Sequence, residues 1–332
     1  MKKRIVVFGA TGNIGVYLTD YLMANVDLTE FDVLAVGRRK TDFFSSIGVE
    51  YIKCDITNPE EFEKLPKNNI YAIINVTGKL PAYTKCFDPF DYIETNINGS
   101  LRILEYARNT GADRVLYTQT WAEQGGYWGK SDVLSPKMGR KLIYTGDHAF
   151  YTITKTMVVE TMEYYKQEYG IKNFIFRLPN VYMWHPDKYY YVDGEPRVVA
   201  YRYMIEKAKL GEPIELWGDP NAFKDILYIK DLCQLLYRGL FAPVNGGTYN
   251  AGTGIKTTLK EQIDGIIEVF CPNGKKSEII LKPDGKGFTS FVMDIEDAKS
   301  DLGYVPEYTY IKYLEDYKSE QLQKRFDDLW NR

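Results

Sequence analysis

A tyrosine and a lysine one helical turn apart, in Tyr151-Thr152-Ile153-Thr154-Lys155, are the side chains of this sequence best suited to moving a proton. A spacing of four puts both on one face of a helix, where an ammonium can stabilise a phenolate. Far upstream, Gly9-Ala10-Thr11-Gly12-Asn13-Ile14-Gly15 repeats glycine every third residue, directly after an apolar run. Between a strand and a helix, such a turn offers backbone N–H groups to a pyrophosphate. Together the two features point to redox chemistry on a dinucleotide.

The turn makes Gly9, Thr11, Gly12, Asn13, Ile14 and Gly15 candidate cofactor contacts; its alternative reading is a tight turn that binds nothing. An acidic residue roughly twenty positions on, at the end of the second strand, would accept from a ribose 2′-hydroxyl. This chain has Gly37-Arg38-Arg39-Lys40 there. Guanidinium groups suit a 2′-phosphate, so Arg38 favours NADP(H) over NAD(H), against the alternative of a solvated basic turn. Asp55, in Cys54-Asp55-Ile56-Thr57, is placed either to accept from an adenine amino group or to cap the next helix.

Positioning these groups requires a framework, and the first half of the chain supplies one. Short β-branched runs at 4–8, 32–36, 50–53, 71–75 and 114–118 read as strands, separated by helical patterns. Cores such as Ile5-Val6-Val7-Phe8 and Ala72-Ile73-Ile74 are apolar on both faces, which suits a parallel sheet covered on both sides. The fold class expected is therefore α/β, a Rossmann-type doubly wound parallel sheet. Helices are expected over 91–110 and 149–169, the second stopping at Gly170, followed by a strand at 173–177. Residues 182–219, rich in Tyr, Trp, Pro and charge, read as an excursion toward ligand, after which 247–250 rejoins the sheet and 259–270 and 295–302 look helical. The expected division is a cofactor domain of residues 1–180 and 222–252, and a smaller, discontinuous substrate domain of 181–221 and 253–332.

Composition narrows the partners. The 332 residues are 45% hydrophobic, enough to bury a substantial core, and 42 basic against 45 acidic residues leave a net charge of -3 with no long run of either sign. That excludes a nucleic-acid or membrane-surface footprint and favours a small-molecule substrate. Four scattered cysteines without a C-x-x-C pair, and only His148 and His185, argue against a metal site. The apolar run after Met1-Lys2-Lys3-Arg4 breaks at Gly9, so it reads as a first strand of a cytoplasmic protein rather than a secretory signal, and no stretch approaches the ~20 apolar residues of a membrane span.

Taken in order, the motifs resemble those of the extended short-chain dehydrogenase/reductase family, in its branch of nucleotide-sugar epimerases, dehydratases and ketoreductases. They are Gly9 to Gly15, Asp55-Ile56, Asn75-Val76-Thr77-Gly78, Asn96, Thr120, Tyr151/Lys155, Arg177 to Tyr182, Lys224 to Ile229 and Tyr249 to Gly252, covering nearly the whole chain. The resemblance implies that Tyr151 is the general acid/base, its phenol pKa lowered by Lys155 and by the oxidised nicotinamide, and that Lys155 also holds the nicotinamide ribose. It implies that Thr120 hydrogen-bonds the reacting substrate oxygen, although a strand-end hydroxyl also caps turns. Ile56, Val76, Thr77 and Gly78 would line the cofactor, and Asn96 would belong to its supporting hydrogen-bond network. A homodimer through the helices bearing Asn96 and Tyr151 is expected on the same basis.

The reaction is read from departures. Sugar 4,6-dehydratases of the family carry Asp-Glu after the catalytic hydroxyl; here those positions are Trp121 and Ala122, with Glu123 one further on. That leaves an epimerase, which returns the hydride it removes, or a reductase. Trp121, Asn180 and Lys224 are the substrate-binding candidates, Lys224 standing where the resemblance implies an Arg that holds a pyrophosphate; Lys282 and Lys286 are the only late cations near that site. Trp121, Tyr127, Trp128, Lys137, Arg140, Lys141 and His148 crowd the 121–150 loop, which suits either a sugar-nucleotide clamp or a packed lid. The expectation is an NAD(P)-dependent epimerase or oxidoreductase acting on a nucleotide-activated sugar. The alternatives are an NADPH-dependent ketoreductase of a small carbonyl compound, or a non-catalytic NADP(H)-binding sensor.

Overall fold

Seven segments rich in Val, Ile, Leu and Phe form one parallel sheet in the computed structural model, which describes residues 1–285 and 287–330. They are β1 (Lys3–Phe8), β2 (Phe31–Gly37), β3 (Glu50–Lys53), β4 (Ile70–Asn75), β5 (Arg114–Thr120), β6 (Lys172–Leu178) and β7 (Gly246–Asn250). Across the sheet they run β7-β6-β5-β4-β1-β2-β3. Strand order reverses between β1 and β4, and a crevice opens there at the carboxyl ends of the strands.

Alternation along each strand divides the core in two. Ile5 and Val7 enter one cluster, and Val6 and Phe8 enter the other. Helices α1 (Asn13–Asn25) and α4 (Ile229–Phe241) close the first face through Val16, Leu22, Leu232 and Leu236. Helices α2 (Gly99–Thr110) and α3 (His148–Tyr169) close the second through Ile103, Leu104, Val158 and Met162. Covering both faces is what permits residues 5–8 of β1 and 72–74 of β4 to be apolar on both sides. The first residue of β5 also fastens α4: the buried Arg114 guanidinium donates to the carbonyls of Gly239 (3.2 Å) and Ala242 (3.1 Å), satisfying acceptors at the helix end.

The expected strands are all present, most of them one or two residues longer, and 247–250 does return to the sheet, pairing with β6. Helix α3 begins at His148 and ends at Gly170 in the left-handed conformation. The helix expected over 91–110 differs in kind. It is a run from Pro89 to Thr110 whose middle, Ile93–Asn98, is π-helical. Helix α4 was not among the expected elements; its apolar residues directly follow the Lys224–Ile229 motif. Within 182–219 the excursion has regular structure of its own: a hairpin of Tyr189–Val192 with Glu195–Val198, a helix Ala200–Leu210, and a strand Ile214–Trp217 paired with Ile279–Lys282. No helix among the described residues is long and apolar enough to cross a membrane.

Candidate active site

The glycine turn lies where β1 meets α1. Gly9 has φ +88°, and a Cβ on Gly15 would come 2.1 Å from the Gly9 carbonyl oxygen, so strand and helix meet at glycine-only distance. Gly12 is the N-cap of α1 and supplies no side-chain acceptor, which leaves the first helical N–H groups for an anion. Thr11 is buried against Gly37, whose added Cβ would lie 2.8 Å from Thr11 Oγ1. The Asn13 amide donates to the Tyr83 hydroxyl at 3.1 Å, and Ile14 packs on the core. These residues fit a dinucleotide pyrophosphate: helix N–H donors are present, and glycine at 9, 12 and 15 adds no side chain to the turn.

At the end of β2 the basic turn is tied down by Tyr51, whose one hydroxyl hydrogen is shared between the carbonyls of Gly37 (2.9 Å) and Arg39. Arg38 is exposed there. Burial, then the Arg38 charge, lower the Arg39 pKa below its ordinary value. One Asp55 oxygen accepts from the Thr57 N–H (3.0 Å) and hydroxyl (2.9 Å), a local turn of the capping kind weighed for it. Ile56 is buried against Gly99. Past β4, Asn75 Oδ1 accepts from the Thr77 N–H (3.0 Å) and hydroxyl (2.6 Å), and this bend brings Val76 and Thr77 against Gly9. The two loops thereby form the walls of the crevice.

The candidate proton-transfer groups stand on α3. Lys155 is 3% exposed; its ammonium lies 4.0 Å from the centroid of the Tyr117 ring and close to Gly78. Burial pulls its pKa down to about 7. The Tyr151 phenol is pushed above its ordinary value, by burial first and then by the neighbouring Tyr92. The lowering expected from Lys155 and the oxidised nicotinamide together is not produced by the fold alone: burial dominates the phenol, and it also draws the lysine toward its neutral form. Asn96 connects the parts from the π-helical turn. Its Oδ1 accepts from the Lys79 N–H at 2.7 Å, and its Nδ2 donates to Thr154 Oγ1 at 3.0 Å, between Tyr151 and Lys155. At the end of β5 the Thr120 hydroxyl accepts from the Ala122 N–H at 3.2 Å, as a turn cap does, and keeps its own hydrogen to donate.

On the substrate side, Trp121 stacks on Trp128 (4.3 Å between centroids) and packs on Phe291 (4.1 Å). Lys224 lies 4.0 Å from the Phe288 ring centroid, and burial lowers its pKa. Asn180 is exposed, Lys282 pairs with Glu215 at 3.8 Å, and Lys286 lies outside the described residues. His185 accepts from the Asp187 N–H at 3.0 Å, a loop role. In the 121–150 loop, Lys137 pairs with Asp297 (3.0 Å), Lys141 sits over Tyr127, and Arg140 reaches Glu123 and Glu160. Those cations bind protein, which favours the packed arrangement over a clamp. Two groups near the chemistry were not foreseen: Tyr117, hidden as an ordinary strand residue, and the buried Glu123–Arg177 pair, for which a charge inside an apolar strand was the available signal.

Known proteins with this arrangement agree on its family. The family model described as the NAD dependent epimerase/dehydratase family matches residues 5–252. A putative UDP-glucose 4-epimerase of Methanocaldococcus jannaschii is 25% identical over 306 residues, covering 91% of this chain and 93% of that one. Among solved structures, the UDP-glucose 4-epimerase of Thermotoga maritima with UDP-glucose superposes with a TM-score of 0.74 at 23% identity, covering 96% of this chain and 100% of the other. The UDP-glucuronic acid 4-epimerase of Bacillus cereus in complex with NAD gives a TM-score of 0.71 at 20% identity, covering 97% and 98%. With its match running from the first strand through the seventh, the chain belongs to the NAD dependent epimerase/dehydratase family.

Proposed function

We propose that this protein epimerises a carbinol carbon of a nucleotide-activated sugar by hydride removal and return, with Tyr151 as acid/base. The observation that carries the reading is the Lys155 ammonium, buried against Tyr117 beside Gly78 and one helical turn from Tyr151, at the edge of the dinucleotide crevice. The nicotinamide, when bound, accepts and returns hydride. Tyr151 takes the hydroxyl proton as the carbon is oxidised, and Thr120 donates a hydrogen bond to the same oxygen. Phenolate and ammonium each reduce the cost of the other's burial, so the pair supports a charge separation that neither group sustains alone. Lys155 and the 76–78 loop would hold the nicotinamide ribose, and the N–H groups of Asn13 to Gly15 the pyrophosphate. Trp121 and Ala122 offer no acid/base pair for elimination, which speaks against a 4,6-dehydratase.

A second reading, a reductase that consumes NADPH, is favoured by Arg38, exposed where a 2′-phosphate would lie. On either reading we assign the cofactor to residues 1–180 and 222–252, and the sugar nucleotide to residues 181–221 and 253–332 with Trp121, Asn180 and Lys224. The helices that carry Asn96 and Tyr151 expose Phe90 (77%), Leu101, Ile153 and Met157 (51%), apolar surface that supports a homodimer joined through them.

Tyr151→Phe should lower turnover roughly 10²- to 10⁴-fold while leaving pyridine-nucleotide affinity nearly unchanged, and activity retained in that variant would refute the assignment. Arg38→Ala should weaken NADPH binding far more than NADH binding in a fluorescence titration; equal weakening would remove the phosphate contact. Lys155→Met addresses burial directly. With a pKa of about 7 in the fold and 10.5 unfolded, the unfolded chain holds more protons across that window, so wild-type stability rises with pH there. The variant should therefore be the more stable protein near pH 6, by an amount bounded at roughly 4–5 kcal/mol, and lose that advantage toward pH 10 in urea unfolding. Met157→Lys should shift sedimentation from dimer to monomer.

A further inference from the structure

Glu123 is 1% exposed, yet its carboxylate makes four polar contacts with three side chains. Oε1 accepts from Arg177 Nε at 2.6 Å and lies 2.5 Å from the second guanidinium nitrogen. Oε2 accepts from Gln119 Nε2 at 3.0 Å and lies 3.2 Å from Arg140 Nε. Arg140 continues to Glu160 on α3. Gln119 accepts the Thr120 N–H at 2.8 Å and donates to Thr156 Oγ1, also on α3, at 3.4 Å. Beneath, Arg177 Nη1 donates to Asn250 Oδ1 at 3.0 Å, and Asn250 donates to the carbonyls of Leu134 (2.6 Å) and Asp294 (3.1 Å).

We propose that Glu123, held between Arg177 and Arg140, is a positioning residue that sets the end of β5, with Thr120, against the helix carrying Tyr151 and Lys155. The inference rests on the site reading above. Glu123 has no path to substrate at this burial, so it acts through Gln119 and Arg140. Both of its arms end on α3, one beside Lys155 at Thr156 and one a turn further at Glu160. A buried carboxylate between two guanidiniums has few alternative geometries, because any displacement leaves a charge unpaired in a dry setting. That stiffness is what a hydroxyl and a phenol on different elements need in order to converge on one substrate oxygen. The arrangement also explains the 121–150 loop: Arg140 brings it back onto the clamp, where Lys141 N donates to the Glu123 carbonyl at 2.8 Å and Gly126 N to the Lys141 carbonyl at 2.7 Å.

The test compares wild type with Glu123→Gln, Arg140→Ala, Arg140→Lys and Tyr151→Phe, using UDP-glucose as substrate and NAD⁺ and NADP⁺ as cofactors. Folded Glu123→Gln should lose roughly ten- to a hundredfold in kcat with KM and cofactor Kd changed less than about threefold. Arg140→Ala should lose several-fold in kcat, and Arg140→Lys should restore most of it. A lowered melting temperature with wild-type kcat in Glu123→Gln overturns the proposal, as does an equal loss in KM. If Glu123→Gln does not fold, Arg140→Ala decides alone, and wild-type kcat there overturns it. Tyr151→Phe separates the layers: full activity in that variant refutes the acid/base assignment, whereas an inactive Tyr151→Phe beside an unaffected Glu123→Gln refutes only the clamp. For a wild type that leaves UDP-glucose unchanged, the near-ultraviolet circular dichroism of the Trp121–Trp128 stack replaces kcat. Loss of that band in folded Glu123→Gln supports displacement of the β5 end, and an unchanged band overturns it.

Discussion

Placing an ammonium where water is almost absent is the constraint around which the site is arranged. Lys155 keeps a face of Tyr117 and little else beside its charge, and its affinity for a proton falls to about 7 as a result. An amine in that condition is readily changed by a neighbouring anion. The same burial holds the Tyr151 phenol protonated. The two groups therefore begin in their neutral or half-neutral forms and become a charge pair only together, which couples proton transfer to whatever brings negative charge or a reacting oxygen between them.

The sheet supplies the rigidity that such a pair requires. β1, β4 and β5 are central strands covered on both faces, and their carboxyl ends carry the glycine turn, the 76–78 bend and Thr120. Each of these ends is restrained again: Thr11 packs closely against Gly37, Asn75 accepts from Thr77, and Gln119 accepts from the Thr120 N–H. Loops fastened this way behave as extensions of the strands. Asp225 does the equivalent on the other side of the crevice, accepting from Thr253 N–H and hydroxyl, Gly254 N–H and Met293 N–H, although burial still raises its pKa.

Much of this was legible in the residues. Apolar runs on both strand faces, glycine at three-residue intervals and the Tyr-x-x-x-Lys spacing depend on local rules, and they led to the parallel sheet, the turn and α3. What was missed depends on contacts distant in sequence. The direction of the Tyr151 shift follows from how much water the fold excludes, which no spacing reveals. The structural role of Glu123 was not legible because its partner Arg177 lies 54 positions away on an adjacent strand. Helix α4 has a clear apolar period and was passed over in favour of the motif before it. The π-helical turn was not read from Ile93–Asn98, and Lys79 and Thr154, the partners of its Asn96, lie 17 and 58 positions away.

That wide turn has an evolutionary corollary. A π turn is an α-helix holding one surplus residue, and each residue in a helix accounts for about 100° of rotation. Excising a residue between Ile93 and Asn98 would relax the backbone to ordinary winding and leave Pro89–Tyr92 set against Phe87 and Phe150, but it would redraw the turn that holds Asn96 against Lys79 and Thr154. A change of length here is thus absorbed within the segment and felt at Asn96, rather than passed on to the helix on either side.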